Sequence, residues 1–171
     1  MTARSIQVEL FTSSYRVVGR IGVTGAGVLG LLSDTTSSFM GVSTVSSAPL
    51  QIANTLIEHA ALMRVVKHHI MVACLNRRDD VGVATLGRSS ITRMYKYPVR
   101  ITTPVYELEG SLEWPGRFDF TSIMAEGTCD FIPLYEATLK AVLFQTVIIQ
   151  CPALLFNRSF VDTLVLLTDN G

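Results

Sequence analysis

Charge is what this chain has least of. Aspartate, glutamate, lysine and arginine make up 16% of it, fourteen basic residues balance fourteen acidic ones, and the formal net charge is zero. A chain without a global basic field has no electrostatic hold on nucleic acid or an anionic membrane, so no nucleic-acid partner is expected. Long apolar runs are missing too. The most apolar stretches, around Val147 to Ile149 and Leu164 to Leu167, are of strand length, well short of the ~18–20 residues of a membrane helix. No membrane insertion is expected. Met1-Thr2-Ala3-Arg4-Ser5 is followed by no apolar core of the kind a signal peptide carries, so the expected location is cytoplasmic. Cysteine is sparse: Cys74, Cys129 and Cys151, an odd number without C-x-x-C spacing. That excludes a disulfide framework and a zinc ribbon and points to reduced, mostly buried thiols. The three histidines, His59, His68 and His69, fit no zinc pattern, and adjacent His68 and His69 on a strand would face opposite ways. No metal is expected. Serine, cysteine and histidine nowhere take the local signature of a nucleophilic enzyme.

Apolar residues are abundant, at 49%, and the mean hydropathy is +0.39. With so little charge, this implies a large buried fraction, either as apolar surface covered by a second subunit or as one large core. The length, 171 residues, suits one compact domain or two very small ones.

The chain reads as two copies of one unit. Ile6 to Leu10 alternates apolar and polar, Thr12-Ser13-Ser14 is a turn, and Tyr15 to Ile21 is a second strand, an opening hairpin. At an offset of 91, Val8 meets Val99, Thr12 meets Thr103, Tyr15 meets Tyr106 and Gly19 meets Gly110. A short helix is expected at Val28 to Leu32 and another at Phe118 to Met124. Phe39 then meets Phe131 at an offset of 92, and Asn76-Arg77 meets Asn157-Arg158 at 81, which places 11 extra residues in the first copy. Pro49 to Ala61 carries Leu50, Ala53, Leu56, Ile57, Ala60 and Ala61 on one helical face, so those extra residues are expected as a helix near 49–64. Tyr135 to Ile149 reads as two strands and a turn or as one long bent strand. Final strands are expected at Val81 to Thr85 and Phe160 to Leu166, with a linker at about Leu86 to Tyr95. The expected fold is mainly β with short helices: antiparallel units at 5–85 and 96–168, related by a pseudo-twofold axis, barrel-like, and fused into one domain or standing as two.

Four motifs suggest chemistry. Gly25-Ala26-Gly27-Val28-Leu29-Gly30 matches the G-x-G-x-x-G turn that brings a backbone against a pyrophosphate. Its helix must end before Thr35-Thr36-Ser37-Ser38, and no acidic residue for a ribose stands in Phe39 to Val45. A glycine-rich turn without a cofactor is the favoured reading. Arg16 and Arg20 have the R-x-x-x-R spacing of cyclic-dinucleotide-binding PilZ-type barrels, but Asp34-Thr35-Thr36-Ser37-Ser38 departs from the motif that follows it there. Asn76-Arg77 and Asn157-Arg158 suit a tight bend, since asparagine tolerates left-handed backbone and the arginine can hold a carbonyl or carboxylate. Glu113, Asp119, Glu126 and Asp130 bracket the second short helix as caps or as acid–base candidates.

Phe131-Ile132-Pro133-Leu134-Tyr135-Glu136-Ala137, with Asn157-Arg158 downstream, resembles a small uncharacterised bacterial β domain family with an F-[IL]-P-[LV]-x-[DE]-A strand and an N-R bend. The resemblance covers about 96–168 and implies a fold but no activity and no catalytic residue. The leading reading is a non-enzymatic cytoplasmic β module acting through protein contacts or as a homo-oligomer. The alternative is a small-ligand or anion-binding protein, nucleotide-like in its ligand, using Arg16, Arg20, Arg77 or Arg158. A dinucleotide-dependent enzyme comes third.

Overall fold

The computed structural model describes residues 3–82 and 93–167. Among these residues ten strands form one antiparallel sheet. The first half supplies β1 (Arg4–Phe11), β2 (Tyr15–Val23), β3 (Phe39–Pro49), β4 (Glu58–Val66) and β5 (Val72–Leu75), with a short helix α1 (Gly27–Ser33) between β2 and β3. The second half supplies β6 (Met94–Thr102), β7 (Tyr106–Pro115), β8 (Phe131–Ala141), β9 (Ile148–Asn157) and β10 (Thr163–Leu166), with α2 (Phe120–Ala125) between β7 and β8. Among the described residues the sheet is not closed, and its order is β10-β6-β7-β8-β9-β5-β1-β2-β3-β4. Among the described residues no helix is long and apolar enough to cross a membrane.

That order contains the same series twice. Within each half the fifth strand lies beside the first, followed by the second, third and fourth. Registers agree as well: Val8 lies opposite Gly19 and Leu75, and Val99 lies opposite Gly110 and Leu166. Each half has a bulge at the same place. Thr44 and Glu136 take positive φ, 51° and 47°, and the strand facing each bulge carries a glycine. A Cβ on Gly19 would sit 2.5 Å from Val42 Cγ1, and one on Gly110 2.8 Å from Leu134 Cγ. Only glycine lets the bulged strand come that close. Both hairpin turns are built by a threonine whose hydroxyl accepts amide hydrogens, Thr12 from Tyr15 and Thr103 from Tyr106. Such side-chain acceptors are what threonine offers a tight turn.

The halves join where β9 pairs with β5, Val72 opposite Phe156 and Leu75 opposite Ala153. β5 and the part of β9 that pairs with it, Ala153 to Phe156, are buried on both faces. Val72, Cys74, Leu154 and Phe156 enter the core of the second half, while Ala73, Leu75, Ala153 and Leu155 enter that of the first. A strand covered twice must be apolar throughout, which is why VACL and ALLF read as unbroken apolar runs. Tyr106 ties the seam from its end: its ring meets Phe11 edge-on at 5.7 Å and its hydroxyl donates to the Thr12 carbonyl.

Several expectations need correction. No helix occupies 49–64. Leu50–Ile52 is a single 3-10 turn, and the chain then becomes β4. One turn buries Leu50 and Ala53, which satisfies the i, i+3 spacing that suggested a helix. Beyond it, pairing with β3 overrides propensity. There are no 11 extra residues either. The ends of β4 and β9, and the 3-10 turns Lys67–His69 and Arg158–Phe160 that follow them, stay 91 residues apart. Asn157-Arg158 therefore corresponds to Val66-Lys67, whereas Asn76-Arg77 follows the fifth strand of its half. The halves do not meet through like strands, as a simple pseudo-twofold interface requires, but head to tail, fourth strand beside fifth. Tyr135 to Ile149 is two strands and a turn. Val81 closes a 3-10 turn, Arg78–Val81, rather than opening a strand; 83–85 and most of the expected linker lie outside the described residues. His68 and His69 sit in a 3-10 turn with ring centroids 4.2 Å apart, not on opposite faces of a strand.

Candidate functional site

A cavity of about 670 Å³ opens between the two halves beside the seam. The first half contributes the start and outer face of α1, including Ala26 and Leu29. The second contributes Trp114 at the end of β7, Ile123 of α2, and Ile132 and Tyr135 of β8. The lining is mostly apolar, with Glu113, Ser33 and Arg158 among its polar groups. An apolar concave surface with a few polar groups is what small-molecule sites share. Here those groups are already engaged. Glu113 accepts a 2.5 Å hydrogen bond from Arg78, and that guanidinium lies 3.8 Å from the centre of the Tyr135 ring. The bond to Glu113 raises the Arg78 pKa, and burial raises that of Tyr135 against the opposing effect of Arg78. Ser33 Oγ lies 2.6 Å from the Leu29 carbonyl and 2.7 Å from Cys129 Sγ. No histidine lines the cavity, so no Ser–His or Cys–His pair is assembled within it; Ser46 and His59 meet at 2.9 Å on β3 and β4, away from it.

Arg158 forms part of the wall by holding the loop between α2 and β8. Its Nη1 donates to the carbonyls of Glu126 at 2.5 Å and Ile123 at 3.4 Å, and its Nη2 to Gly127 at 3.0 Å. Its Nε lies 3.6 Å from Asp130. A cation at the carbonyl end of a helix satisfies acceptors that the helix leaves open. Lys67 does the same in the first half: Nζ donates to the carbonyl of Asp34, the residue that caps α1, at 2.8 Å. The backbone matches as well, Lys67 N donating to Ser38 and Arg158 N to Asp130. Arg158 stands at the turn between β9 and β10 and reaches the loop between α2 and β8, and the residue in the matching place of the first half is Lys67, not Arg77. Carrying the offset of 91 through the whole chain would have found it.

The other sequence candidates are dispersed. Arg16 pairs with Glu9 at 2.9 Å and donates to the Ala53 carbonyl at 3.0 Å; Arg20 donates to the hydroxyl and carbonyl of Ser5. Arg77 lies 3.4 Å from Asp79 in an exposed pair. Of the four arginines only Arg158 reaches the cavity. Asn157 is buried, donates to the Ile70 carbonyl across the seam and accepts from Ser159 N, while Asn76 is exposed. The glycine motif serves packing. Gly27 (φ +65°) and Gly82 (φ +92°) bring two backbones together so tightly that a Cβ on Gly82 would lie 2.0 Å from the Ala26 carbonyl oxygen. Its helix stands between antiparallel strands, without the parallel crossover of a dinucleotide fold. Among the described residues no three His, Cys, Asp or Glu side chains gather as for a metal.

Comparison with protein-family models, with curated proteins and with solved structures gives no match.

Proposed function

We propose that the protein is a non-enzymatic β module that works by associating with copies of itself. The observation that carries this is the state of the two sheet edges. Among the described residues, β4 and β10 each have one side without a partner strand, and both display apolar side chains: Leu62 is 61% exposed, Val165 49% and Leu166 38%. Soluble proteins usually blunt such edges with charge, proline or a cover. β10 carries neither charge nor proline. We read each half as one copy of a small open barrel, and the whole as one domain because β5 and β9 serve both cores. The three free thiols fit a reducing compartment such as the cytoplasm. Light scattering over a concentration series tests the reading: the mass should exceed the 18.7 kDa chain and rise with concentration. A constant 18.7 kDa would refute it.

The seam cavity favours a second reading, binding of a small, mostly apolar ligand. A rise in melting temperature with such a ligand, lost on Leu29→Trp, would support it.

A further inference from the structure

We infer that β4 of one chain pairs with β10 of another, antiparallel, in the register in which β9 pairs with β5 inside each chain. The inference rests on the self-association just proposed and specifies its surface. β9 and β4 are the fourth strands of their halves, and β5 and β10 the fifth. The seam is therefore one instance of a fourth-to-fifth contact, and the two free edges are the remaining halves of another. A second copy of the chain is the one partner certain to offer the missing strand in the matching shape.

The register follows from the offset of 91. Val72 opposite Phe156 becomes Thr163 opposite Val65; Cys74 opposite Leu154 becomes Val165 opposite Met63; Leu75 opposite Ala153 becomes Leu166 opposite Leu62. Backbone direction agrees. Asn157 N donates to Met71 O across the seam, so by alternation the amides of Leu155 and Ala153 also face β5. Their counterparts are Arg64 and Leu62. Lys67 N donates inward to Ser38, which leaves Leu62, Arg64 and Val66 facing outward. On β10, Leu167 N donates inward to Pro98, which leaves Leu164 and Leu166 facing outward. Each edge thus offers donors and acceptors where the other needs them.

Burial makes the same point. Where the contact exists, Ala73, Leu75, Ala153 and Leu155 are 0% exposed; where it is open, the positions of Ala153 and Leu75 hold Leu62 and Leu166, 61% and 38% exposed. Arg64 stands where β9 has Leu155. It is exposed and lies over the Phe39 ring at 5.0 Å, so its charge stays at the rim. A contact that joins unlike surfaces of identical chains closes into a ring or extends as a filament.

Two experiments on the full chain test this. Leu62→Pro and Leu166→Pro each remove an outward-facing amide from one edge, without an inward bond to lose. Each variant alone should run as a monomer, and the mixture should give a 1:1 dimer through its two intact edges, which also shows that both are folded. If either variant alone keeps the wild-type mass, the edges are not the contact or pair like with like. The inference then fails while self-association stands. If wild type is itself monomeric, both fail. Independently, Met63→Cys with Val165→Cys places two thiols in a non-hydrogen-bonded pair, where Cα atoms are about 4.5 Å apart and a disulfide fits. Oxidation should link separate chains, and Met63→Cys with Leu164→Cys, one residue out of register, should not. Equal linking of both pairs, or linking only within one chain, overturns the inference.

Discussion

Arg158→Ala removes the clamp on the loop between α2 and β8, and its cost can be worked from the contacts. The side chain is 11% exposed. Two of its bonds are well made, to Glu126 O at 2.5 Å and Gly127 O at 3.0 Å; the third, to Ile123 O, is long at 3.4 Å. Hydrogen bonds to a charged group contribute about 1.5–3 kcal/mol each when lost singly. The Glu126 and Gly127 carbonyls sit in an exposed turn, so water takes up part of what the guanidinium leaves. Asp130 is 62% exposed, and a pair that open adds little. The net loss should be about 2 kcal/mol, nearer one good bond than the sum of three. At a urea slope of about 1–3 kcal/mol per molar, the unfolding midpoint should fall by about 1 M with the slope unchanged. Arg158→Lys should lie between, since an ammonium can reach one carbonyl but not both. Urea unfolding followed by circular dichroism checks this. A midpoint within about 0.2 M of wild type would mean that the loop holds its shape without the arginine, and the structural role assigned to it would be wrong.

Lys67→Met should behave differently from its counterpart: Lys67 is buried with one carbonyl partner, and an apolar chain of similar length should change stability by less than about 1 kcal/mol in the same assay. Gly27→Ala should lower the melting temperature sharply, because a Cβ there meets Gly82 backbone at 2.4 Å under positive φ, whereas Gly25→Ala, with nothing within 4 Å, should leave it unchanged. Equal effects at the two glycines would contradict the close-approach argument. Cys151 should alkylate at lower pH than an ordinary thiol, since a hydrogen bond from the Cys74 thiol favours its thiolate; that same bond and burial push Cys74 up and keep it unreactive in the folded chain. Peptide mapping after iodoacetamide at stepped pH reads both, and Cys74 reacting first would reverse the assignment.

The strands of the opening hairpins were legible because alternation and a threonine turn are local signals. Both short helices were legible from the glycine before each and the polar residues after. β4 was not. Leu50, Ala53, Leu56 and Ile57 have helical spacing, and only pairing with β3 shows that the chain is extended there. Asn76-Arg77 misled for a related reason. Dipeptide identity is a weak guide to place, and VACL and ALLF look alike because both strands line the seam, not because they are the same strand of the unit. Lys67 was invisible as the counterpart of Arg158 until the registers aligned it, since lysine and arginine cap a helix through different numbers of donors. The cavity at the seam could not be read at all. Its walls come from residues about 100 positions apart, brought together by a pairing that no local pattern encodes.

The seam also sets a schedule for synthesis. β5 is made early, and the strand that covers its outer edge, β9, follows about 80 residues later. At 5–20 residues per second, the completed first half waits about 4–16 s with a bare, wholly apolar strand at its margin. Any neighbouring chain at the same stage on the same message offers no β9 either, only another β5 and another β4. The β4 edge can take that β5 in the register meant for β9, joining two nascent chains before either has finished. Slowing translation between Leu75 and Ala153 should therefore raise the yield of misjoined chains, and a rapidly delivered second half should suppress it.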